Sequence, residues 1–209
     1  MEQTYSLYGL LNKIADAMIE AEPKLTELDS ALGDGDCGQG MKTGFTAVRE
    51  ALKGMEGASD TDLLKKTAMS LISAVGGTSG AIYGTAFMKM AAASKDAVAG
   101  DLVSIANVLE AGLNGAKMRG ENTQVGDKTL IDALEPAVYA FKAKAEAGAS
   151  MAEACAAATE AAQKGSDSTI DLIAKKGRAS YLGERSIGHR DAGSYGIVVI
   201  CQAAEDFLK

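Results

Sequence analysis

Residues 192–209 read AGSYGIVVICQAAEDFLK. The run Ile197-Val198-Val199-Ile200 is the one strand candidate in the chain, and a strand here would mean a sheet. It passes straight into CQAAEDFLK with no turn residue between them. We therefore read a buried helix over about 192–208, and with that the case for a β structure ends.

Working upstream, the other periodic segments agree. An alanine-rich stretch covers 149–164, and 129–147 reads as a helix that Pro136 is expected to kink. Leu102, Ile105, Ala106, Leu109 and Leu113 fall at spacings of three and four, as do Leu64, Ala68, Leu71, Ile72 and Val75. Leu7, Leu10, Leu11, Ile14 and Met18 form the face of a first helix ending before Pro23. Two prolines, abundant alanine and 5% aromatics fit a helical chain. The expectation is an all-α protein of about eight helices. With no proline- or serine-rich linker and no repeat, it reads as one domain over 1–209.

Composition excludes several roles. The net charge of −7 disfavours nucleic acid and anionic membranes as partners. No apolar run approaches the ~20 residues of a membrane helix. The N-terminal stretch MEQTYSLYGLLNKIADAMIEAEPK carries acids and lacks a basic leader, so it is not read as a signal peptide. Three widely spaced cysteines, Cys37, Cys155 and Cys201, fit neither a disulfide framework nor a zinc site. The expected compartment is the cytoplasm.

Glycines gather between the helical patterns. LDSALGDGDCGQGM, residues 28–41, presses Asp29, Asp34 and Asp36 into what reads as a flexible loop. Like charges so close stay solvated or hold a cation, and hard carboxylate oxygens suit Mg²⁺. An EF-hand does not fit, because the twelfth position after Asp34 is Phe45 instead of glutamate. GGTSG, residues 76–80, offers either an N-cap at Thr78 or Ser79 or an anion site of amides and hydroxyls. GENTQVGDKT, residues 120–129, is no Walker A loop, since Asp127 separates glycine from lysine and a helix precedes it. A loop donating Thr129 to a ligand remains open. Residues 175–190 hold the one dense basic patch, with Lys175, Lys176, Arg178, Arg185, His189 and Arg190. A solvated helix end accounts for the lysines. Arg178, after Gly177, is placed to meet a phosphate. A nucleotide's phosphates could share a pocket with three aspartates only if metal ions intervened, and two Mg²⁺ with an arginine meet that need. A lone histidine completes no nucleophilic set, so no catalytic residue is assigned.

LDSALGDGDCGQGM, SAVGGTSGAIYGTAF, GDKTLIDALEP and KKGRASYLGERSIGHRDAGS, in this order, resemble the nucleotide-binding (L) subunit of bacterial dihydroxyacetone kinases along nearly the whole chain. The resemblance implies a barrel of eight antiparallel amphipathic helices with the nucleotide at the loop end. It implies two Mg²⁺ on Asp29, Asp34 and Asp36. It implies ADP or ATP contacts at Cys37, Gly38, Gly40, Thr78, Ser79, Gly120, Leu130, Arg178 and the Asp191-Ala192-Gly193 turn. It further implies a partner subunit that holds dihydroxyacetone and, in the phosphotransferase-system type, a phosphohistidine protein that rephosphorylates bound ADP. Cys37 stands where that type commonly has histidine, and GDGDCG is similar to the single-chain ATP-dependent kinases. The donor, another ketose such as erythrulose, a homodimer, and a nucleotide-sensing role on a transcription factor stay open here.

Overall fold

Val198 and its neighbours are helical. In the computed structural model, which describes residues 6–209, they lie inside α9, Ala192–Phe207. The first five residues of the N-terminal stretch read above lie outside the described residues. Before α9 come α1 Leu7–Glu20, α2 Glu22–Leu32, α3 Cys37–Leu52, α4 Asp60–Ala74, α5 Gly77–Ala93, α6 Leu102–Arg119, α7 Ile131–Glu146 and α8 Met151–Ser168. Short 3₁₀ turns cover Ser94–Asp96, Thr169–Asp171 and Arg178–Ser186. Among the described residues there is no strand.

Eight of the nine α-helices among the described residues form a closed ring. In the order α1, α3, α4, α5, α6, α7, α8, α9 each packs on the next, and α9 returns to α1. Neighbours are antiparallel: short connections turn the chain back at most junctions, Tyr8 at the start of α1 meets Glu56 just past the end of α3, and Ser166 at the end of α8 meets Ser194 at the start of α9. The seam without such a connection is antiparallel too: Gly9, near the start of α1, faces the Phe207 ring at the end of α9. The connections at 33–36, 75–76, 120–130 and 169–191 therefore all emerge at one end of the ring. The ninth helix, α2, packs on α1, α3 and α9.

The interior is filled. Leu11, Met18, Leu25, Phe45, Leu71, Phe141 and Ile197 belong to one buried cluster, and Phe45 meets Tyr83 edge-on with centroids 6.5 Å apart. Each large apolar side chain removed from water contributes about 1.5–3 kcal/mol. Glycines let the staves close. A Cβ at Gly44 of α3 would strike Val75, one at Gly84 of α5 would strike Ile72, and one at Gly165 of α8 would strike the Asp132 carbonyl of α7. That carbonyl lacks its usual helical donor, because Pro136 four residues on has no N–H. So α8 approaches where α7 is incomplete, and α7 runs through Pro136 as one helix.

Three expectations are corrected. Residues 28–41 are not a loop throughout: 28–32 end α2, only 33–36 are irregular, and 37–41 open α3. Pro23 does follow the end of α1, but it also sits in the first turn of α2, where its missing N–H costs nothing. The glycines are not confined to loops, since several line the contacts between helices.

Candidate functional site

Asp29 lies on the last turn of α2, and Asp34 and Asp36 lie in the turn that leads to α3. The turn is short and held from both sides. The Gly33 N–H donates to the Asp29 carbonyl at 2.6 Å, and the Cys37 N–H donates to the Asp29 carboxylate at 3.1 Å. Gly35 adopts φ +75°, a left-handed conformation that glycine takes without strain. As a result one oxygen from each of Asp29, Asp34 and Asp36 lies within 4.8 Å of the other two. Three hard oxygen donors at this separation form a set that suits a divalent cation such as Mg²⁺.

The counter-charge arrives from far along the chain. Arg178 pairs with Asp34, and its guanidinium is 3.6 Å from Asp36. Both sides of the contact are substantially exposed, so the arginine is free to trade a carboxylate for another anion. The rest of the basic stretch disperses. Lys175 reaches Asp127 at 3.6 Å, Lys176 reaches Glu121 at 3.9 Å, and Arg190 pairs with Asp167 while lying over Tyr195. Lys175 and Lys176 lie on a loop, so the expected solvated helix end is corrected. His189 is exposed, beside Lys24 and Leu28 on the outer side of α2.

Cys37, half-buried at the start of α3, is pushed up to about 12 by burial and by the Asp29, Asp191 and Asp36 charges. It remains a thiol and offers no nucleophile. Asp191 caps α9, accepting from the Ser194 N–H at 2.5 Å, and burial raises its carboxyl to about 7, with Asp132 and Asp29 adding to the rise. α9 packs on α2, the helix that carries Asp29.

The other anticipated residues take up varied places. Gly38 is buried, and a Cβ there would strike Glu22 and Thr26 of α2, so packing alone demands glycine. Gly40 lies on the first turn of α3 beside Val75. Thr78 and Ser79 lie in the first turn of α5, but Gly76 is the N-cap and makes no side-chain cap, so capping by either hydroxyl is corrected. Gly120 closes α6. The Thr129 hydroxyl accepts from the Ile131 N–H at 3.2 Å and helps start α7. Leu130 meets Gly193 across the α7 and α9 N-termini, and Ala192 is buried next to it. All of them share the loop end of the ring.

Two residues had not been singled out. Asp132 is buried and accepts from the Gly126 N–H at 2.6 Å and the Thr129 N–H at 2.7 Å. Lys128 is buried too. Burial lowers its pKa, and Asp191, Asp132 and Asp171 oppose that shift. The motif GDKTLIDALEP carried both residues, but nothing in it distinguishes a buried lysine from a solvated one.

With this geometry in place, residues 31–206 match the DAK2 domain. The chain belongs to the DAK2-domain family. It is 42% identical over 193 residues, 92% of this chain and 91% of the relative, to the ADP-binding subunit DhaL of the PEP-dependent dihydroxyacetone kinase 1 of Listeria innocua. It is 37% identical over 192 residues, 92% of this chain and 91% of the relative, to the ADP-binding subunit DhaL of the PEP-dependent dihydroxyacetone kinase of Escherichia coli. The L-erythrulose kinase of Pectobacterium atrosepticum is 35% identical over 95% of this chain, which spans only 34% of that protein. The crystal structure of the dihydroxyacetone kinase from C. freundii in complex with AMP-PNP and Mg²⁺ shares the fold of this DAK2-domain chain. The TM-score is 0.74 at 23% identity, over 98% of this chain and 34% of that one. No helix among the described residues is long and apolar enough to cross a membrane.

Proposed function

We propose that this DAK2-domain chain is the nucleotide-binding phosphotransferase subunit of a dihydroxyacetone kinase, working in the cytoplasm with a partner that holds the ketose. The carrying observation is the convergence of Asp29, Asp34 and Asp36 opposite Arg178 at the loop end of the ring. The three carboxylates would hold two Mg²⁺ ions, which when bound neutralise phosphate charge and polarise phosphoryl oxygens.

The chain's own groups do the positioning. Arg178 can leave the carboxylates for a phosphate oxygen and bind it with two donors. The first turns of α3, α5 and α9, with Cys37, Gly38, Gly40, Thr78, Ser79, Ala192 and Gly193, open at the same end, where the N-terminus of a helix favours an anion. Gly120, Thr129 and Leu130 border it from the α6–α7 connection. Because Cys37 stays protonated, no covalent phosphoryl carrier is assigned within the chain.

Support for the donor comes from the names of the relatives. The relatives that this chain spans almost end to end carry PEP-dependent names and the description ADP-binding. The single-chain erythrulose kinases match over a third of their length. ADP held in place and rephosphorylated by a phosphohistidine protein fits the first group, against the lean of Cys37 toward ATP. The test is reconstitution. Dihydroxyacetone should be phosphorylated only when this chain, the ketose-binding subunit and a phosphohistidine donor are all present. Turnover by this chain alone with ATP would overturn the reading.

A further inference from the structure

Lys128 is 1% exposed, and its backbone adopts φ +61°, a conformation that a residue with a side chain takes under strain. All three donors of its ammonium are used. They go to the carbonyls of Thr169 at 2.6 Å, Leu172 at 3.1 Å and Ser186 at 2.7 Å. Thr169 and Leu172 lie where the α8–α9 connection leaves the ring, and Ser186 lies where it returns. Between them the chain loops out, and on that excursion sits Arg178.

We propose that Lys128 is a positioning residue: it closes the 169–186 segment at its base and thereby fixes Arg178 over Asp34 and Asp36. The role in catalysis rests on the reading of that pocket as a Mg–nucleotide site. Three further ties gather at the same base, while farther out Lys176 donates to the Glu121 carbonyl at 3.3 Å and the 178–186 turn rests on α2. The Ala174 N–H donates to the Ser186 hydroxyl at 3.0 Å, the Gly188 N–H to the Ile170 carbonyl at 2.8 Å, and the Lys175 N–H to the Asp127 carbonyl at 3.1 Å. The clamp also reaches α9. Thr169, held through its carbonyl by Lys128, accepts through its hydroxyl from the Asp191 N–H at 3.0 Å. One ammonium thus sets the loop that carries the arginine and the residue that caps the neighbouring helix. A lysine serving stability alone would not need its partners at the two feet of a functional loop.

The experiment has two arms. In the nucleotide-free protein, the side-chain NMR signal of Arg178 Nε–H should stand apart from that of a free arginine, and Lys128→Met should move it to the free position. An unchanged signal in a folded variant overturns the proposal. In the second arm, Mg–ADP affinity is measured for wild type, Lys128→Met, Arg178→Ala and the double variant. Lys128→Met should weaken binding about tenfold or more, the scale on which misplacing a contact group acts, and should add almost nothing once Arg178 is gone. An equal loss in both backgrounds shows that Lys128 does not act through Arg178 and overturns the proposal. If Lys128→Met does not fold, hydrogen exchange of the wild type decides: the amides of Ala174, Lys175 and Gly188 should be protected, and exchange at free-chain rates sinks the clamp. A wild type that binds no Mg–ADP would refute the functional reading, while the NMR and exchange results still decide the clamp.

Discussion

Without ligand Arg178 offsets part of the charge of Asp34 and Asp36, and that pairing sets what each should do when removed. The ion pair is exposed, so its loss should hardly change folding stability. Toward a phosphate, the same side chain supplies a charge-assisted contact of about 1.5–3 kcal/mol. Arg178→Ala should therefore weaken Mg–ADP binding roughly ten- to a hundredfold in calorimetry, with the unliganded melting temperature unchanged. Asp34→Asn and Asp36→Asn should each abolish the stabilisation by Mg–ADP and leave the helical circular dichroism intact; a wild-type response in both would mean that the turn is not the metal site. Asp191 yields a pH test. Its carboxyl is raised from 3.8 to about 7, so the folded protein binds a proton that the unfolded chain releases in that window. The stability it contributes is complete below pH 4 and lost as pH rises through about 7. Asp191→Asn keeps an acceptor for the Ser194 N–H and should remove this slope. Melting temperatures from pH 4 to 8 would show the wild type falling relative to the variant. The acidic turn was readable because its three carboxylates are near neighbours in the chain. Lys128 was not, because its partners are 41 to 58 residues away and only the folded chain brings them together.

At the level of elements, periodicity identified α1, α4, α6, α7, α8 and α9, each of which buries an apolar face. It did not pick out α3 and α5, whose first turns lie in the glycine-rich motifs, and it missed α2, which buries only Leu25 and Leu32 and begins at the proline that ends the preceding pattern. Gly38 shows why that omission matters for the site. Its lack of a side chain lets α3 start against α2, and this contact brings Asp29 over the turn that carries Asp34 and Asp36. Gly38→Ala should force the two helices apart and cost about 1–3 kcal/mol in urea unfolding, the range for overpacking. It should also weaken Mg–ADP binding. If the fold is destabilised while Mg–ADP affinity stays at the wild-type level, the placement of the aspartates does not depend on this contact.

For the whole molecule, a ligand that binds only the folded ring stabilises it by mass action. Mg–ADP at a hundredfold excess over its dissociation constant should add about 2.7 kcal/mol, which for a chain of this size is a rise of roughly 5–11 °C in melting temperature. Mg²⁺ alone should do less, since phosphate oxygens complete its coordination. The barrel itself could not be derived from periodicity, which finds staves but not their order. Closure depends on the meeting of α1 and α9 from opposite ends of the sequence.

That meeting has a consequence for chain connectivity. Gly9 and Phe207 touch at the end of the ring opposite the acidic turn, so the order in which the staves are covalently strung matters little to the fold. A circular permutant, with a short flexible linker joining residue 209 to residue 6 and new termini opened at 147–150, should refold to the same helical content. It should also bind Mg–ADP as the parent does, because both the cut and the join lie away from the site. Calorimetry and circular dichroism of the permutant would check this, and a permutant that folds but loses the nucleotide would show that the ring transmits strain from its far rim to its binding end.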